Sequence, residues 1–424
     1  MNFIFYCFLV FYFILPFQFA LNLTENFDIA TIRVFAMTIF IIFCFWSLYK
    51  KNFFVAKGWI SILFTFFFMW IFFSPFFTPV PEWTIRKIIF FISFLPLFYI
   101  LVALFQYNKI ALITVIKSLV CGATLASLIA FIQFSLQFII SLNATLVLWS
   151  HISPFFLGNM FASSVVTYNS WLVHVGNKDL MRGIAFFPDP HVASFYFGII
   201  TPFAAGLYYH TKKWHYLICA VFIVIADLLT FSRGGYIGLL AGVTCALILF
   251  WSRLHTKVQH IITLLLISSV LLFCIPQNPI TQRFLSSFDS SDTSTTQRVE
   301  LWSQAISTIS QKPFLGTGLG AYPYIINPLA DYRTPIYAHN IYLDICVELG
   351  LIGFFTFFGA IIFSIYIFLK NKDKLFSYFA IISIVIFLTH AIFDTPIYSV
   401  HILPILLLII AIASHHENSV YKNI

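Results

Sequence analysis

Apolar runs of about 20 residues recur along the chain, and short lysine-bearing linkers separate many of them. Hydrocarbon about 30 Å thick takes roughly that length of helix, and it gives no water to a backbone with open hydrogen bonds. The runs fall near 3–20, 31–49, 58–77, 88–106, 118–140, 191–210, 215–231, 236–251, 260–275, 340–369, 376–393 and 397–413. Composition agrees: 61% of the 424 residues are hydrophobic, 9% are charged and the mean hydropathy is +0.95, outside the range of a water-soluble globule. The expected fold is an all-α polytopic membrane protein of about 12 helices, one membrane domain over 1–424 with no appended soluble domain and no internal repeat. The N-terminal "MNFIFYCFLVFYFILPF" lacks the basic start and cleavage site of a signal peptide and reads as a retained first span. The seven cysteines lie in or beside apolar runs without ligand spacing, so neither a metal, a cofactor nor a disulfide framework is expected.

Twelve spans put both termini on one side. The linkers 50–57, 107–117, 211–214, 252–259 and 370–375 share that side and carry eleven lysines and Arg253, which makes it the cytoplasm. Two long segments fall outside: 141–190, an outer loop with an interfacial stretch around 152–166, and 276–339, between the ninth and tenth spans. Both exceed ordinary connection lengths, which favours function over simple linkage. Of the ten basic residues on the outer side, seven are arginine, whose planar fork of donors suits phosphate. Snorkelling to lipid headgroups accounts for some of them. Membrane lipids are expected partners; nucleic acid is not.

In "ADLLTFSRGGYIGLLAGV", Arg233 sits between two spans joined only by "SRGG". A charge near the hydrocarbon is normally paired or functional; capping of the preceding helix is an equal alternative for this residue alone. In "TTQRVELWSQAISTISQKPFLGTGLGAY", Leu301, Trp302, Ala305, Ile306 and Ile309 follow Arg298 at offsets 3, 4, 7, 8 and 11. This predicts an amphipathic helix near 297–310 with Arg298 in line with its apolar face, where an arginine meant only for solvent would not sit. Gly316, Gly318 and Gly320 have no preceding strand, so they read as a flexible loop and not a dinucleotide fingerprint. In "YAHNIYLDICVELGLIGFF", Asn340, Asp344 and Glu348 form a stripe at i, i+4 and i+8 that should line a cavity. His339 stands at the outer lip of this 30-residue helix, about 45 Å long, and is a candidate base near neutral pH. A lone histidine at a helix end is more often a cap or a surface residue; its polar neighbours raise the catalytic reading. Asp189 and Pro190 read as N-cap and first residue of a helix, and Arg182 as a secondary anion ligand. His390 and Asp394 are spaced to pair with each other, and Asp227 to partner an arginine. No Asp-x-Asp pair supports a metal-dependent diphosphate site.

Taken in order, "SRGG" (232–235), "RVELW" with "PFLGTGLG" (298–320) and "HNIYLDICVELGLIG" (339–353) resemble the O-antigen ligase and O-antigen polymerase superfamily of bacterial inner-membrane glycosyltransferases. The resemblance is strongest over 182–395. It implies a GT-C-like transferase with a large periplasmic loop between helices 9 and 10, acting on the periplasmic face. The implied donor is an undecaprenyl-diphosphate-linked glycan, and the acceptor lipid A–core or another glycan. Carried over by position, Arg233 and Arg298 would bind diphosphate and His339 would be the base of a metal-independent, inverting transfer. Ligase is favoured by the compact length and the one dominant outer loop, with polymerase and protein O-oligosaccharyltransferase as alternatives. A flippase for lipid-linked sugars would spread charges through mid-bilayer on several helices, whereas here they gather near the outer rim. A structural subunit would leave the placement of Arg298 unexplained.

Overall fold

The computed structural model describes residues 1–24, 27–51, 54, 56–108, 110–159, 162–163, 170–175, 178–253, 256, 259, 293–329, 337–371 and 374–421. Helix α1 (Asn2–Ile14) leads into an antiparallel hairpin, β1 (Ala20–Thr24) and β2 (Phe27–Ala30), and α2 (Thr31–Lys50) follows. Next come α3 (Trp59–Phe73), α4 (Pro81–Phe94), α5 (Pro96–Tyr107), α6 (Ala111–Leu136) and α7 (Leu142–Leu157). A second antiparallel hairpin, β3 (Leu172–Val175) and β4 (Lys178–Met181), precedes α8 (Pro190–Thr211), α9 (Trp214–Leu229) and α10 (Arg233–Phe250). The remainder is α11 (Thr293–Gln311), the short α12 (Tyr322–Ile326), α13 (Ile341–Lys370), α14 (Ser377–His390) and α15 (Leu403–Tyr421).

Among the described residues, 7 helical stretches are long and apolar enough to cross a membrane: Thr31–Lys50, Trp59–Phe76, Pro81–Tyr107, Ala111–Leu136, Pro190–Thr211, Arg233–Phe250 and Ile341–Lys370. Asn2–Ile14, Leu142–Leu157, Trp214–Leu229, Ser377–His390 and Leu403–Asn418 are shorter apolar helices. The span expected at 260–275 lies outside the described residues, as do Arg283, Arg333 and four of the linker or terminal lysines (109, 257, 372 and 422). The fourth expected span begins at Pro81 and not at 88, and it breaks where Pro96 cannot donate to the helical ladder. Lys87 therefore lies within a helix.

Packing follows from side-chain size. The Leu403–Ala413 part of helix α15 is apolar all round, and residues 401–414 are buried, as a helical stretch without a polar face must be. It packs against α5 and α13, and α13 also meets α3, α11 and α14. Helix α10 lies on α14 through glycines: a Cβ on Gly242 would come 2.5 Å from Ile386 Cγ1, and one on Gly234 2.6 Å from His390 Cδ2. At the other end of the bundle, Glu417 accepts from the Trp59 and Ile60 amides (2.7 and 3.3 Å) and so caps α3. Gly58 makes room for that carboxylate at φ 105°, where a Cβ would lie 2.4 Å from Glu417 Oε2.

The expectation of one unbroken 30-residue helix at the opening motif is corrected. Helix α13 is interrupted at Gly350, which takes φ 64° and ψ −173°. Leu351–Lys370 alone is about 30 Å long, enough for a bilayer core, so Ile341–Leu349 is a separate piece.

Candidate active site

The break in α13 is filled by the segment that the sequence marked as a flexible loop. Gly316, Gly318 and Gly320 all have positive φ (74°, 99° and 77°) and thread the chain across the break. The amides of Thr317 and Gly318 donate to the Val347 and Glu348 carbonyls (2.8 and 2.9 Å), and Leu351 N–H donates to Pro313 O (2.8 Å). Trp70 Nε1 donates to Leu349 O at 2.8 Å. The groups released by the broken helix are thus satisfied, and the loop is fixed. Side chains have no room at the crossing: a Cβ on Gly350 would lie 2.1 Å from Phe314 O.

Above the break, the backbone at Ala338 is held from both sides. Its amide donates to Asp344 Oδ1 (3.0 Å), and its carbonyl accepts from Trp302 Nε1 of α11 (2.8 Å). His339 follows in a left-handed conformation, φ 50°, which a non-glycine residue holds only when its surroundings impose it. Its Nδ1 lies 3.4 Å from Asp394 Oδ1, and the two side chains are 48% and 22% exposed, so the pair is open to solvent. The hydrogen bond with Asp394 raises the His339 pKa above its usual 6.5, against burial and the charge of Arg298, which work to lower it. Burial works to raise the Asp394 carboxyl, yet the His339 hydrogen bond and the charges of His191 and His339 outweigh it and hold the group well below the carboxylate range.

Arg298 reaches this pair because α11 docks as its pattern predicts. Ala305 is buried, and with Trp302 and Ile309 it packs against Ala338, Leu343 and Val347. Arg298 lies one turn before Trp302, on the same face. Ile306, expected on that face, is 59% exposed. The burying stripe is thus Trp302, Ala305 and Ile309, narrower than the expected one.

The helix starts of α8 and α10 complete this end of the bundle. Asp189 caps α8 by accepting from the His191 and Val192 amides, each at 2.8 Å, as the sequence predicts. Burial and neighbouring Asp394 push its carboxyl up to about 6, while those amides pull it down. Ser232 caps α10 through the Gly235 amide (3.2 Å), and its hydroxyl also meets His191 Nδ1 (3.2 Å) and His390 Nε2 (3.3 Å). Arg233 is the next residue, with its side chain exposed. The Arg182 backbone is pinned from two sides: Gln133 of α6 donates to its carbonyl (2.8 Å), and the amide of the next residue, Gly183, donates to Leu229 O (2.8 Å). His191 lies within Coulombic reach of Asp394, Arg182, Arg298 and His339, so two of the three predicted arginines and the predicted base share one neighbourhood. Arg233 adjoins it through Ser232.

Three expectations are corrected. His390 does not pair with Asp394; its ring stacks on Phe195 (3.6 Å between centroids) and meets Ser232, while Asp394 turns to His339. Asp227 is fully buried and accepts from Ser194 Oγ, not from an arginine. Asn340, Asp344 and Glu348 are 7%, 1% and 0% exposed and do not line an open cavity. Asn340 caps α13 by accepting from the Tyr342 and Leu343 amides (3.0 and 3.2 Å). Asp344 ties Ala338 to Thr395, and Glu348 bonds Tyr398. Lys87, not singled out by its sequence context, donates to Tyr337 Oη at 2.5 Å and places its ammonium 3.2 Å from the centre of the Tyr398 ring. These groups brace the backbone on both sides of His339, one through Tyr337 and the other through Thr395, next to Asp394.

Comparison with known proteins points the same way. The family described as O-antigen ligase matches residues 218–358, about a third of the chain, from α9 to the middle of α13. The chain is 31% identical over 175 residues (38% of its length) to a protein designated a polysaccharide ligase in Rickettsia typhi. It is 30% identical over 161 residues (36%) to a protein of the same designation in Rickettsia prowazekii. A ComP-specific O-oligosaccharyltransferase of Acinetobacter baylyi is 25% identical over 201 residues (43%). These matches span 40%, 36% and 35% of the three relatives' own lengths. The matched segment carries Arg233, Arg298 and His339, so all three fall in the part of the chain that is similar to the O-antigen ligase family.

Proposed function

We propose that the protein transfers a glycan from a polyprenyl diphosphate carrier, undecaprenyl diphosphate in bacteria, to an acceptor hydroxyl at the outer face of the inner membrane. The observation that carries this reading is the solvent-open His339–Asp394 pair, held by a pinned backbone within electrostatic reach of Arg298. With the Nδ1 proton directed at Asp394, the other ring nitrogen, Nε2, is left to accept a proton. It takes that proton from the acceptor hydroxyl as the oxygen bonds to the anomeric carbon. The bond from that carbon to the diphosphate oxygen breaks, and its electron pair leaves with the diphosphate. Arg298, Arg233 and Arg182 neutralise the growing charge with planar donor forks. Attack opposite the leaving group inverts the anomeric centre.

Lipid A–core is the acceptor in this reading, and the protein is its O-antigen ligase, with twelve spans and both termini in the cytoplasm. A protein acceptor is the second reading, favoured by the similarity to the Acinetobacter baylyi oligosaccharyltransferase. Lipopolysaccharide from a deletion strain tests the assignment. Long glycan chains retained on the carrier lipid are expected. A single repeat on the core would instead identify a polymerase, and an unchanged ladder with loss of a glycosylated protein would identify the second reading.

A further inference from the structure

Helix α6 ends with two buried glutamines one turn apart, Gln133 inside it and Gln137 just past its last residue. A buried carboxamide has to pair its oxygen as well as its amide. Both side chains turn to the same non-helical stretch, Met181–Ala185, between β4 and α8. Gln137 meets Met181 as a neighbouring strand would: its Oε1 accepts from the Met181 amide (2.8 Å) and its Nε2 donates to the Met181 carbonyl (3.0 Å). Gln133 repeats this farther along. Its Nε2 donates to Arg182 O (2.8 Å), and its Oε1 accepts from the Ile184 and Ala185 amides (2.8 and 3.1 Å). Trp171 O accepts from the Arg182 amide (2.8 Å), and Trp149 Nε1 donates to Ala185 O (2.9 Å).

So many bonds to an irregular backbone fix its register, and the register decides where one charge goes. Met181, the last residue of β4, is buried in one cluster with Trp149, Phe156 and Ile184. In extended chain the next side chain points the opposite way, so Arg182 is turned from that cluster. A slip of one residue would exchange the two and draw the guanidinium among apolar side chains. As it stands, Arg182 acts on His191 together with Arg298 and His339. It is the only charged residue of the stretch that the two carboxamides hold.

We propose that Gln133 and Gln137 are positioning residues for the diphosphate: they set the register of Met181–Ala185 and so hold the Arg182 guanidinium at the anion site. The proposal rests on the role given to Arg182 under Proposed function.

A double-mutant cycle on the full-length protein in nanodiscs tests it, with geranyl diphosphate as the probe and its dissociation constant as the readout. Arg182→Ala should weaken binding about tenfold. Gln133→Met keeps the side-chain length, removes both hydrogen-bonding groups and should weaken binding at least about fivefold. In the Arg182→Ala background the same change should cost less than about twofold more, because the glutamine acts through that arginine. Its loss of thermal stability should persist in that background, which separates positioning from folding. Gln137→Met provides a second cycle with the same expected pattern, should Gln133→Met fail to accumulate. Tyr12→Phe removes an equally buried bond to a backbone carbonyl, that of Pro404, and should leave binding unchanged. Losses that multiply in the double variant, wild-type affinity in Gln133→Met, or normal binding by Arg182→Ala would each overturn the proposal. So would weakening by Tyr12→Phe to the same extent as by Gln133→Met. Absence of binding in the wild type refutes the donor reading, whereas wild-type binding with multiplying losses refutes the positioning role alone.

Discussion

The two ends of the helix bundle place ionisable groups at the start of a helix in opposite ways. At the α3 end, Glu417 spends its carboxylate on two backbone amides, and a glycine at φ 105° lets it sit flush. At the α13 end, the residue with positive φ is His339, and its side chain reaches a partly buried aspartate instead of a helix terminus. Asn340, the next residue, performs the capping. The first arrangement is closed and leaves little for a ligand to do. In the second, structural work is delegated to Asn340, Asp344 and Trp302, which leaves the His339 ring to face Asp394 and, on the function proposed above, free for chemistry. Polarity near hydrocarbon is thus a poor marker of catalysis; polarity left open beside a cluster of arginines is a better one.

The comparison breaks most visibly if His339 can be lost. His339→Ala should reduce glycan transfer by about 10²–10⁴-fold with normal accumulation in the membrane, the range for a general base. Near-wild-type transfer would make His339 as structural as Glu417. Next in size, Arg298→Lys should cost at least about tenfold in kcat/KM, because a point charge does not replace a planar fork. An unchanged value would leave Arg298 as a docking residue of α11.

Asp394→Asn should have a smaller effect on the maximal rate, up to about tenfold, and a diagnostic effect on pH dependence. His339 must be neutral to accept a proton, so the rate falls as pH drops through its pKa, which Asp394 holds above 6.5. Without the anion that pKa falls, and the acid limb of the kcat/KM profile moves to lower pH. An acid limb that stays in place would show that Asp394 does not act through His339. At the closed end, Glu417→Ala should lower stability by about 1–2 kcal/mol, as loss of a helix cap does, while turnover of the folded protein stays constant. Thermal unfolding in detergent checks the first part, and a changed kcat would undo the contrast between the ends.

What the sequence made legible was periodic or local. Hydropathy located the long apolar helices, Asp189–Pro190 announced a helix start, and the spacing of Trp302, Ala305 and Ile309 turned Arg298 the right way. The break at Gly350 was hidden, because glycine is common in membrane helices and its positive φ depends on a loop more than 30 residues earlier. The His390–Asp394 spacing misled for a definable reason: α14 ends at His390, so Asp394 lies past the helix and the i, i+4 relation no longer holds. Lys87 was invisible as a member of the site, since its partner Tyr337 lies 250 residues away.

The glycine loop wedged into α13 also limits how this protein can admit a bulky substrate. Withdrawing Pro313–Gly318 would strip the partners from the Val347 and Glu348 carbonyls and the Leu351 amide. Each costs several kcal/mol where no water replaces the lost bond. The segment is therefore a wall and not a lid, bolted to the membrane helix that passes beneath it. On the function proposed above, whatever parts to let a glycan chain reach His339 has to move around this fixed corner.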